Sequence, residues 1–142
     1  MLRLKLLCPA LTLVLIGAIG CETSSSQPPE PAFRPNKEDL LVMADDILVV
    51  VHVVPGSAGD NHFDFYVEDR DGDEREFASV TANFTFLDVG SATRGYEATP
   101  VHPDHFVIDG RQIAHDGRWR LDVVVKRGGL PDAKGSSLLL ID

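Results

Sequence analysis

Gly117-Arg118-Trp119-Arg120-Leu121-Asp122-Val123-Val124-Val125-Lys126 decides the fold of this chain. Trp119, Leu121, Val123 and Val125 fall on one side of an extended backbone, and Arg118, Arg120, Asp122 and Lys126 on the other. A period of two marks a strand with one face in a core and one in water. The pattern recurs upstream. In residues 79–86, Val80, Ala82, Phe84 and Phe86 point inward and Ser79, Thr81, Asn83 and Thr85 outward. In residues 62–68, Phe63, Phe65 and Val67 oppose His62, Asp64, Tyr66 and Glu68. Residues 47–54 are rich in β-branched side chains and apolar on both faces except for His52. Such a run implies a strand buried on both sides, or one with a face for a partner. Weaker strands cover residues 96–101 and 106–113, and residues 137–141 close the chain.

The intervals are turns. Pro55-Gly56, Asp71-Gly72 and Gly128-Gly129-Leu130-Pro131-Asp132 punctuate the strands. Residues 40–45 make at most one helical turn before the first strand. About seven short strands in roughly 100 residues predict an all-β fold, an immunoglobulin-like antiparallel sandwich. Trp119 is the large plug between its sheets, with Phe63, Phe65, Phe84 and Phe86 as neighbours.

Ahead of this domain lie two segments of different character. Residues 1–20 start with Arg3 and Lys5 and continue as an apolar run. The run is too short to span a bilayer comfortably and reads as an export signal. Gly17-Ala18-Ile19-Gly20-Cys21 resembles the lipobox of bacterial lipoproteins. That resemblance implies cleavage before Cys21, acylation of its thiol and new amino group by chains such as palmitate, and anchorage in a lipid bilayer. The competing reading is an ordinary signal with an incidental cysteine, or an uncleaved anchor. Residues 21–45 form a tether: Ser24-Ser25-Ser26-Gln27-Pro28-Pro29 offers nothing to bury, and its prolines favour an extended chain. The folded domain is expected over residues 46–142.

Charge and cysteine content narrow the function. The chain has 13 Lys and Arg against 22 Asp and Glu, and residues 1–20 hold two of the basic residues and none of the acidic ones, so the net charge falls from −9 to −11 without them. Such a surface repels nucleic acid and anionic headgroups. Cys8 leaves with the signal, and Cys21 lies outside the domain. The domain therefore has no disulfide, no thiolate metal site and no thiol nucleophile. No nucleophile elbow, HExxH or phosphate loop is present, and the chain reads as a non-enzyme.

Three stretches resemble the YtkA-like domain, found also at the C-terminus of bacterial copper-transport proteins of the CopD/YcnJ type. They are Pro55-Gly56-Ser57-Ala58-Gly59-Asp60-Asn61-His62-Phe63, Val67-Glu68-Asp69-Arg70-Asp71-Gly72, and Gly117-Arg118-Trp119-Arg120-Leu121-Asp122-Val123 running into Val125-Lys126-Arg127-Gly128-Gly129. Gly59 can take a positive φ and Asn61 can bond backbone groups in the turn. The resemblance implies an immunoglobulin-like sandwich in extracytoplasmic service, an accessory in copper or other metal homeostasis beside an envelope copper-handling protein. It carries no ligand motif onto this chain, which lacks transporter membrane segments and has Met43 as its one internal methionine. The alternative is an interaction or structural module of the cell envelope that binds no metal.

Alternating strand directions would place Asp69, Asp71, Asp73, Glu74, His102, Asp104, His105 and Asp132 at one end of the sandwich. Asp60, His62, Asp88, His115 and Asp116 would lie at the other, with His52 nearby. His102-Pro103-Asp104-His105 is the candidate metal site: two imidazoles on a proline-stiffened loop near carboxylates suit Cu(II) or Zn(II). A third ligand would come from Asp104, Asp132 or the loop after Asp69, and the competing reading is a polar surface loop. Asp69, Asp71 and Asp73 begin like a calcium loop, but Glu74 and Val80 stand where its Gly and bidentate Glu belong, which leaves a hairpin turn. His52 reads as a satisfied, half-buried histidine. His62 and His115 with Asp116 could form a second site at the far end, or simply be surface residues.

The lipobox makes a direct prediction. The mature protein should fractionate with membranes and be released by detergent, and Cys21→Ser should abolish both processing and membrane association, as read by fractionation and mass spectrometry.

Overall fold

The computed structural model describes residues 39–70, 77–89 and 92–141; the signal, Cys21, most of the tether and Asp71, Asp73 and Glu74 lie outside them. Nine strands follow in order: β1 (Leu40–Ala44), β2 (Ile47–Val54), β3 (Gly59–Asp69), β4 (Phe77–Phe86), β5 (Thr93–Glu97), β6 (Thr99–His102), β7 (His105–Ile113), β8 (Gly117–Arg127) and β9 (Ala133–Ile141). They form a five-stranded sheet in the order β1-β2-β3-β7-β6 and a four-stranded sheet in the order β5-β4-β8-β9. Every pairing is antiparallel. The expected sandwich is present, with nine strands among the described residues in place of about seven.

The alternating runs explain the sandwich. Phe63, Phe65, Val80, Ala82, Phe84, Leu121, Val123 and Val125 are all buried. Phe63 of one sheet meets Phe84 of the other with ring centres 4.9 Å apart and planes inclined by 60°. Trp119 is buried as expected, and Phe86 lies against it at 4.9 Å. Residues apolar on both faces of β2 are buried on both faces. Val49 and Val51 join the core, and Val50 is equally buried between its register partners Leu41 and Tyr66.

Three expectations are corrected. Residues 40–45 are not a helical turn. They form β1, which pairs with β2 from Leu40↔Val51 to Ala44↔Ile47. The chain reverses at Asp45, whose φ of 51° an aspartate tolerates better than most residues. Asp45 also accepts the Lys134 N–H, and Asp46 receives both hydrogen bonds of Arg127 Nη1, at 2.7 and 2.8 Å. A turn held by hydrogen bonds from two distant strands leaves little local signature. The single strand expected over residues 96–101 is instead two strands in different sheets. β5 pairs with β4, β6 pairs with β7, and the buried Ala98 between them donates its N–H to the Val80 carbonyl. One run thus switches sheets, for which a small residue at the crossing is suited. The last strand also begins earlier than residue 137, at Ala133.

Strand direction places the ends as expected. The β2–β3 loop, the end of β4 and the β7–β8 loop share one end; the Asp45-Asp46 turn, the β6–β7 turn and the β8–β9 loop share the other. At the first end Asn61 organises the β2–β3 loop. Its Oδ1 accepts the Gly56 N–H, and its Nδ2 donates to the Ser57 and Gly59 carbonyls, with Gly59 at φ 121°.

Gly135 closes the side of the sandwich where β9 runs against β1. A Cβ there would collide with the carbonyl of Met43 and the Cα of Ala44, backbone atoms that cannot rotate away. Gly135→Ala should therefore destabilise the domain by about 1–3 kcal/mol through overpacking. Urea unfolding measures it, with Gly128→Ala, where a Cβ meets nothing within 4 Å, as the neutral control.

Candidate functional site

Because Phe63, Phe65 and Val67 of β3 face the core, His62, Asp64 and Tyr66 stand on the outer face of the five-stranded sheet. β7 lies beside β3 in the register His62↔Asp109, Asp64↔Val107 and Tyr66↔His105. β6 then adds His102, directly opposite His105. These pairings assemble a line of polar side chains across three strands.

Asp64 is its centre. Its Oδ1 accepts the Nε2 of His105 at 2.8 Å and the Nε2 of His62 at 3.2 Å. His62 Nδ1 bonds Asp109 Oδ1 at 2.6 Å. The His105 ring lies flat against Tyr66, centres 4.3 Å apart and planes within 10°. His102 extends the stack on the other side, 6.2 Å from His105 and inclined by 24°. The His105 and Asp64 side chains are each 16% exposed, so their bond is partly shielded from water; Asp109 is 73% exposed, and its pair with His62 is screened.

Charge follows from this geometry. Each nitrogen of His62 faces a carboxylate oxygen. A neutral imidazole has one N–H and can donate to one of them only; the imidazolium donates to both. The hydrogen bond to Asp109, reinforced by the charge and hydrogen bond of Asp64, accordingly holds the His62 pKa above its ordinary 6.5, against the opposing pull of burial. Just beyond the end of β4 the Arg118 backbone N–H and guanidinium hold Asp88 below the usual carboxylate range.

The expected metal pair, His102 and His105, is brought together by the β6–β7 turn. Among the described residues the carboxylate bonded to His105 is Asp64, from a strand interior; Asp71, Asp73 and Glu74 of the loop after Asp69 lie outside them. Asp104 contributes its backbone carbonyl to the Val67 N–H instead. The sorting by ends put His62 and His105 apart, yet they meet through Asp64. Both are strand residues whose side chains lean toward a common neighbour, so the end to which each strand terminus belongs does not separate them. His52 is half-buried and bonded to Asp39 at 2.9 Å. His115 does lie at the opposite end, against Phe86, and its carbonyl accepts the Trp119 indole N–H.

The donor set of His62, Asp64 and His105 has the chemistry of a borderline divalent ion site, with two imidazoles and a carboxylate. Its arrangement is that of a hydrogen-bonded cluster. Both Nε2 atoms point at one oxygen, and among the described residues no group of three His, Cys, Asp or Glu side chains is set to hold a metal ion.

No family model matches this chain, and no curated protein matches it. Among solved structures it is similar to the crystal structure of the PmoD soluble domain from Methylocystis sp. ATCC 49242 (Rockwell), with a TM-score of 0.53 and 11% identity over 72% of this chain and 97% of that one. At that identity the likeness is one of fold.

The His62 geometry predicts a titration. By NMR, His62 should titrate with a midpoint above 6.5, and Asp109→Asn should move it down. Since the folded-state pKa lies above the unfolded one, the stabilising contribution is complete below pH 6.5 and is lost as pH rises through the folded-state value. The stability difference between wild type and Asp109→Asn should therefore be largest in mild acid and vanish in mild alkali.

Proposed function

We propose that this chain is a membrane-anchored extracytoplasmic lipoprotein whose β-sandwich acts by binding, as an accessory in the handling of copper or another divalent transition metal. The observation that carries the metal reading is the convergence of His62 Nε2 and His105 Nε2 on one oxygen of Asp64. A proton now joins each imidazole to the carboxylate; in the tautomer that carries its proton on Nδ1, each Nε2 is a neutral nitrogen ligand beside an anionic oxygen. His102, exposed beside His105 with ring centres 6.2 Å apart, would add a further nitrogen. Loading would require the side chains to part by a rotation, which suits a site that accepts and passes on a metal better than one that retains it. The YtkA-like stretches and the lipobox at Cys21 support the extracytoplasmic address, and an acidic surface favours cations generally.

A second reading rests on a different observation. Leu138 and Leu140 are each 67% exposed on β9, an edge strand of the four-stranded sheet. An apolar edge of this kind suits an interaction module that pairs with an envelope protein and needs no metal.

Calorimetric titration of the full chain with Cu(II) and Zn(II) separates them. The wild type should bind, His62→Ala/His105→Ala should lose binding while remaining folded, and His102→Ala should weaken it. Affinity should fall in acid, because protons compete for the imidazoles. Equal heats for wild type and the double variant would remove the metal reading and leave the interaction module.

A further inference from the structure

We infer that the end of the sandwich where β4 and β7 finish holds a second site, a pocket for a small aromatic carboxylate that carries a hydrogen-bond donor. Where β4 and β7 finish, the two sheets part over a cavity of about 570 Å³, within the range of small-molecule sites. Phe84, Phe86 and Trp119 form its apolar wall. The Trp119 indole N–H is already spent on the His115 carbonyl, so these rings present faces and edges but no free donor.

Gln112 supplies the observation that points to a ligand. It lines the cavity, is only 6% exposed, and its Oε1 is buried with no hydrogen-bond partner among the described residues. Its Nε2 donates to the Asp109 carbonyl at 2.9 Å, which fixes the orientation of the amide and leaves the oxygen as the open group. A buried acceptor without a donor is costly, and native proteins rarely keep one without a use. A donor on a bound molecule would satisfy it.

Arg94 and Arg111 set the charge of that molecule. Both line the same cavity and are exposed. Arg118, Arg120 and Arg127 each hold a carboxylate, whereas Arg94 and Arg111 hold none among the described residues. Two guanidiniums at one opening with no carboxylate among the described residues are unusual on a chain with net charge −9, and a carboxylate is the anion their planar donors match. Aromatic wall, buried acceptor and paired guanidiniums together describe a flat apolar body, a donor such as a phenolic hydroxyl, and an acid group facing the mouth. None of these residues belongs to the histidine cluster, so the pocket stands whether or not that cluster binds metal.

Trp119 is the one tryptophan of the chain, so it reports on its own pocket. The full chain, held in phosphatidylcholine nanodiscs, is titrated with hydroxyphenylpropionate while Trp119 fluorescence is followed. A saturable change is expected. Arg94→Ala/Arg111→Ala, which alters exposed side chains only, should bind roughly tenfold more weakly, and so should the uncharged amide analogue with wild type. Hexanoate, which has the acid but neither ring nor donor, should bind more weakly than hydroxyphenylpropionate. Absence of any saturable change, equal affinity in the arginine variant, or hexanoate binding as tightly as the aromatic acid would each overturn the assignment.

Discussion

The contact of Phe63 with Phe84 across the interior is the constraint on which the rest of the structure depends. Two sheets can face each other only if each strand commits alternate residues to the space between them. Once Phe63, Phe65 and Val67 take the inward positions of β3, the outward ones fall to His62, Asp64 and Tyr66. A slip of one residue would bury the charged set and expose three apolar side chains, a change far larger than the few kcal/mol of net stability typical of a small domain. The histidine cluster is therefore a by-product of core packing as much as a feature in its own right.

The two ends of the sandwich differ in how they are held. At one end Arg127, with its side chain only 8% exposed, joins Asp46 to the Pro131 carbonyl and ties the β1–β2 turn to the β8–β9 loop. At the other, Asn61 and the Asp88–Arg118 pair order individual connections, while the sheets separate around an apolar cavity. A carboxylate held by a guanidinium and a backbone N–H fixes a loop without filling space behind it. That combination leaves room for a pocket where the sheets diverge.

The outer face carries its polar groups as a line rather than a cage. Antiparallel neighbours bring cross-strand side chains about 5 Å apart, close enough for an imidazole on one strand to reach a carboxylate two rows away on the next. Tyr66 stacks on His105 and limits its rotation, which leaves His62 as the more adjustable partner of Asp64. The raised pKa of His62 belongs to the same geometry, since both its nitrogens meet carboxylates.

The amino-acid order alone determined the strands of the central region, which face of each is buried, and the turns between most of them. It did so because a period of two is a local property: Trp119, Leu121, Val123 and Val125 announce a face without reference to any other strand. It also joined His102 to His105, two residues on one short turn. Neighbours across the sheet had no such local mark. That β3 lies beside β7, that residues 93–102 change sheets at Ala98, and that β1 closes against Gly135 are matters of long-range pairing. Only that pairing sets Asp64 between His62 and His105, and brings the buried Gln112 to one cavity with Arg94 and Arg111. Periodicity fixes the direction of a side chain, but its partner is whatever the fold carries to within hydrogen-bond reach, and that distance is decided by tertiary packing.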